Sequence, residues 1–202
     1  AAIFAACILV SYPVSNAGYQ DDFSYAKTAL EFARTGHFVY NSWASPLVGW
    51  LAIWGASFIK LFGFSFTILR LSELPFAVAS IYLFHRILTR FGISVRNASI
   101  GALTLGLTPL FFPITASFMT DVPGIFVLIL STYMCQRAIA AGTDRAAVYW
   151  LVFAAVASLV GGTVRQTSWL GALVIVPSTG WYLRKRRGAL IASLIAAFFS
   201  LV

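Results

Sequence analysis

Long apolar runs separated by short basic stretches constrain this chain more than any other feature. Such runs cover roughly 1–13, 66–88, 97–114, 120–137, 146–163, 168–183 and 189–202, with a further one at 46–62. A helix needs about 20 predominantly apolar residues to cross a bilayer. Over the 202 residues, 60% are hydrophobic and only 10% charged, which excludes an ordinary soluble globular domain. The expectation is an all-α fold, a polytopic transmembrane helical bundle. The first and last runs fall short of a full span, so the chain reads as a fragment truncated at both ends. No signal peptide can be judged from such an N-terminus. Cys7 and Cys135 both lie in apolar runs, which argues against a disulfide or a cysteine-based metal site. The net charge of +8 comes from basic residues between the runs, so it reports topology and not nucleic-acid binding.

Charge then sets orientation. The basic stretches are 85–96, 137–145 and 184–187, separated by two spans each. The positive-inside rule puts all three on the cytoplasmic face. If residues 46–62 crossed the membrane, the loop before them would share that face. If they lie at the interface, the loop is extracytoplasmic. Trp50 and Trp54, with Trp43 ahead and Lys60 near the end, favour the interface. Residues 14–65 are then a first extracytoplasmic loop with two interfacial helices. Asn97-Ala98-Ser99 fits a glycosylation sequon on the cytoplasmic side and reads as a chance match.

That loop carries the adjacent pair Asp21 and Asp22, in a chain with only six acidic residues. Residues 22–35 read as an amphipathic helix. Phe23, Ala26, Leu30 and Ala33 form its apolar face, Lys27, Glu31 and Arg34 its polar face, and Gly36 its stop. The acidic pair sits at the helix N-terminus, where the macrodipole favours negative charge. Asp21 is therefore either a functional carboxylate or simply an N-cap.

Further polar residues interrupt the apolar pattern. Asp121 opens a span beside Pro123 and shares the extracytoplasmic face with Asp21 and Asp22; its plain reading is another N-cap. Arg165 lies between spans on that face and is otherwise a snorkelling side chain. The neighbouring Gly161 and Gly162 would let a backbone or ligand approach closely. Arg70 and Glu73, one helical turn apart, are expected to pair with each other. Asp144 is the acidic residue on the cytoplasmic side. Convergence of three carboxylates and a cation on one face points to a site.

The stretch Gln20-Asp21-Asp22-Phe23-Ser24-Tyr25-Ala26, followed by Thr35-Gly36-His37-Phe38, Phe62-Gly63-Phe64-Ser65 and Leu69-Arg70-Leu71, resembles the N-terminal half of GT-C fold glycosyltransferases. The likeness is to dolichyl-phosphate-mannose protein mannosyltransferases and to the bacterial enzymes that move aminoarabinose onto lipid A. Thr120-Asp121-Val122-Pro123 matches a second acidic position of those families. Arg165 stands where some relatives carry Lys, and Ser45-Pro46 where Pro-Pro is common. The resemblance implies one GT-C-like domain over 1–202, in the plasma (inner) membrane or, in a eukaryote, the endoplasmic reticulum. It implies transfer of a sugar, with inversion, from a polyprenyl-phosphate donor to a hydroxyl of a lipid, glycan or protein acceptor. It makes Asp21 and Asp22 catalytic and Asp121, Arg165, Arg70 and His37 substrate-binding. Asp21 would be the base and Arg165 the phosphate clamp. A divalent metal is compatible with the carboxylates, though no ligand set demands one, and no nucleic-acid partner is implied. The rival expectation is a secondary transporter of a polar or anionic solute, which would put polar residues near span midpoints.

Overall fold

Gly36 and the acidic first turn delimit the first long helix as the sequence predicts, and the rest of the fold is helical in the same way. A computed structural model describes residues 1–11, 16–18, 21–41 and 48–199. Among these, the α-helices are α1 (Ala2–Ser11), α2 (Asp22–Thr35), α3 (Gly49–Phe62), α4 (Phe66–Arg90), α5 (Val95–Gly106), α6 (Phe111–Ile114), α7 (Asp121–Ile139), α8 (Asp144–Gly162), α9 (Val176–Tyr182) and α10 (Arg187–Phe199). The expected roles of Trp43 and of Ser45-Pro46 fall outside the described residues.

Three of these helices, α4, α7 and α8, are long and apolar enough to cross a membrane. The expected span at 97–114 is not one helix. α5 has 12 residues, about 18 Å at about 1.5 Å per residue, against a hydrocarbon core of about 30 Å. Thr108-Pro109 breaks the run, because proline cannot donate to the preceding turn and disfavours the helical conformation before it. Thr108 Oγ1 instead accepts from the Phe111 N–H and starts α6. The expected span at 168–183 is helical but changes type. A 3-10 turn at Gln166–Ser168 leads to a π-helical stretch at Gly171–Ile175 and then α9. Pro177 sits just beyond the π stretch, a common place for a helix to adjust around a missing donor.

Two sets of contacts fix the ends of the bundle. At one end, Gln136 Nε2 donates to the Ile87 carbonyl and Arg186 to the Ala141 carbonyl. Arg90 also lies over the Tyr133 ring, and Asp144 accepts from the Gly188 and Ala189 N–H groups that start α10. The three basic stretches therefore share that end. At the other, α4 and α7 begin and α8 finishes. There α3 runs from Gly49, packed so close to Thr163 that no Cβ would fit, to Phe62, just before α4.

A core of α2, α3 and the start of α4 covers this second end. Tyr25, Ala26, Ala29 and Leu30 pack on Leu51, Ala52 and Ile59, with Leu69, Phe118 and Val164 closing the cluster. The buried face of α2 thus runs through Asp22, Tyr25, Ala26, Ala29 and Leu30. The expected face had Phe23 inside, yet Phe23 is 44% exposed and stacks on Phe66. That rotation carries an aspartate into the core.

Candidate functional site

Asp22 is fully buried, and a buried charge is tolerated only when paired. Its partner is Arg70 on α4, whose Nε and Nη2 donate to Asp22 Oδ2 at 2.8 and 2.6 Å. The segment before α2 completes the arrangement. Asn16 Oδ1 accepts from the Phe66 N–H, supplying a cap that Ser65 does not, and Arg70 also donates to the Ala17 carbonyl. The expected pairing of Arg70 with Glu73 does not occur. α2 is packed across the start of α4, so Asp22 meets the guanidinium from outside that helix. Glu73 is left fully buried, with neither carboxyl oxygen hydrogen-bonded.

Next to this pair lies a second, more open one. Arg165 Nη2 donates to Asp121 Oδ1 at 2.8 Å, with side-chain exposures of 44% and 21%. Arg165 Nη1 donates to Thr120 Oγ1 at 3.3 Å. Neither Asp21 nor Thr120 makes a side-chain capping bond. The plain capping reading of Asp21 therefore does not describe its carboxylate, which is exposed. Asp121 is engaged with Arg165, so Arg165 does not snorkel alone.

Tyr25 joins the two parts. It follows Asp21 by four residues, is buried, and stands beside Thr120. Burial raises the pKa of its phenol, and the negative charges of Asp21 and Asp121 push the same way. Thr120 and Arg165 oppose them. The net upward shift keeps the hydroxyl protonated, a donor set among carboxylates. Asp21, Asp121 and Arg165 thus all act electrostatically on one phenol.

The glycines act differently from expectation. The space beside Gly161 is filled by Val127 and that beside Gly162 by the Trp169 indole, so neither opens a path to a ligand. Gly124 is the glycine that matters for Arg165. A Cβ there would meet Arg165 Cβ at 2.7 Å, so its absence lets the arginine stem lie on α7. Ser168 Oγ donates to the Gly124 carbonyl and ties the same loop down.

His37 stands apart from this cluster. It is exposed beyond the C-terminal end of α2, a helix of 14 residues, or about 21 Å, from Asp22. Among the described residues no three His, Cys, Asp or Glu side chains form a group able to hold a metal ion. Sequence reasoning did not single out Tyr25, Thr120, Gly124 or Asn16. Only Tyr25 carried a usable signal, its helical spacing from Asp21. Comparison of the chain with protein-family models, curated proteins and solved structures finds no match in any of the three.

Proposed function

We propose that this chain is part of a multi-pass membrane glycosyltransferase of the GT-C kind, acting on the extracytoplasmic side of the plasma membrane. It would move a sugar from a polyprenyl-phosphate donor to an acceptor hydroxyl with inversion. The observation that carries the reading is the Asp121–Arg165 pair, which with exposed Asp21 acts on the buried Tyr25 phenol at the end of the apolar helices away from the three basic stretches.

The chemistry assigns each group a task. Asp21, exposed and uncapped, takes the acceptor proton while the acceptor oxygen bonds to the anomeric carbon. The bond from that carbon to the phosphate oxygen breaks, and polyprenyl phosphate leaves with the electron pair. Phosphate is a competent leaving group, so no strong acid is required. The Arg165 guanidinium offsets charge developing on it, with Asp121 and Thr120 holding the fork in place. Tyr25 supplies a protonated hydroxyl to sugar or acceptor oxygens. Asp22, bound to Arg70, fixes the first turn of α2 beneath Asp21.

One feature favours the alternative, a secondary transporter: Glu73 is a buried acid within a candidate span. The full-length protein in membranes separates the two. Acceptor-dependent release of polyprenyl phosphate from a lipid-linked sugar is the expected result. Solute flux with no consumption of any such donor would replace the enzyme reading with transport.

A further inference from the structure

Glu73 is fully buried on α4, and both of its carboxyl oxygens lack a hydrogen-bond partner. A buried polar group left in this state is costly, and it marks either stored strain or a contact made in another arrangement. Arg70 lies one turn earlier on the same helix, at a spacing that brings side chains together. Its Nε and Nη2 both address a single oxygen of Asp22. Asp22 from α2 holds the guanidinium in the present arrangement, and Glu73 follows Arg70 by one turn on α4 itself.

We propose that Arg70 has two partners, Asp22 in the present arrangement and Glu73 when a ligand at the acidic end engages Asp22. Glu73 is then a positioning residue that holds Arg70 while Asp22 is occupied. Its unmet oxygens make the present arrangement less favourable than a fully paired one, which narrows the gap between the two states. A ligand offering hydrogen-bond donors or positive charge to Asp22 replaces the partner lost there, and the turn of Arg70 toward Glu73 leaves both acids satisfied. The first turn of α2, which carries Asp21, gains freedom in the exchange. The proposal applies to any ligand of Asp22 and does not rest on glycosyl transfer.

The test is thermal unfolding of the full-length protein in lipid nanodiscs for Asp22→Asn, Glu73→Gln and the double variant. Glu73→Gln alone should leave the midpoint at or above wild type. Asp22→Asn alone should lower it modestly, because Glu73 takes up Arg70. The double variant should fall by far more than the sum of the two, or fail to insert. Asp22→Asn with Glu73→Asp, which keeps a carboxylate on α4, should recover most of that loss. Additive effects would overturn the proposal. So would an Asp22→Asn protein already as unstable as the double variant, since Glu73 would then not be catching the guanidinium.

Discussion

Asp21 and Asp22 are adjacent in sequence and opposite in environment, one exposed and the other fully buried against Arg70. Residue chemistry at this end follows from which partner each charge finds. Arg165 is half-exposed and held by Asp121, so on the proposed function it is a cation with a surface to offer an incoming phosphate. Arg165→Gln should weaken donor binding or turnover by about ten- to a hundredfold, the loss of a charge-assisted hydrogen bond of about 1.5 to 3 kcal/mol. Arg165→Lys should retain part of the activity through charge alone. Donor affinity and turnover measured for both check this, and wild-type values for Arg165→Gln would remove the residue from the site. Tyr25 gives a pH signature. Its phenol pKa is raised above the ordinary 10.0 by burial, so its contribution to stability is complete below about pH 10 and is lost as pH rises through the folded-state value. Unfolding midpoints should therefore fall more steeply above pH 10 in wild type than in Tyr25→Phe. Parallel curves would contradict the burial of Tyr25. Sequence spacing offered Arg70 a partner at Glu73, but the winning acid comes from 48 positions away, and only the docking of α2 decides it.

At the scale of elements, local chemistry was legible and packing was not. The limits of α2 follow from Gly36, which takes the left-handed conformation, φ 73°, that a C-terminal stop requires. The break after α5 was written in Thr108-Pro109, although the apolar run continues across it. The buried face of α2 could not be read, because Phe23 and Tyr25 compete for the core and the aromatic neighbour Phe66 on α4 draws Phe23 outward. One helix start was also invisible. α10 is capped by Asp144, which belongs to α8 and accepts from Gly188 and Ala189 at 3.2 and 3.3 Å. Asp144→Ala should cost about 1 kcal/mol, as for loss of an N-cap, and speed hydrogen exchange at Gly188 and Ala189 with sugar transfer unchanged. Unaltered exchange at those amides would show that the cap carries no weight.

Over the whole molecule, the three basic stretches gather at one end and Asp22 and Asp121, with their arginine partners, lie at the other, the grouping on which the proposed orientation rests. Orientation is open to labelling in intact cells. In a background lacking Cys7 and Cys135, cysteines at exposed Lys60 and Ser94 should differ, with Lys60→Cys reacting with an impermeant thiol reagent and Ser94→Cys protected. Equal labelling from outside would overturn the proposed sidedness. On the proposed function, the acidic end transfers sugar with Asp21 as its base. The direct measurement is acceptor-dependent release of polyprenyl phosphate by full-length Asp21→Asn, beside Asp144→Asn as a control at the opposite end. Loss of a general base lowers turnover by about two to four orders of magnitude, so Asp21→Asn should be nearly inactive while still folded and the control should turn over as wild type. Near-normal turnover in Asp21→Asn would contradict a general-base role for Asp21.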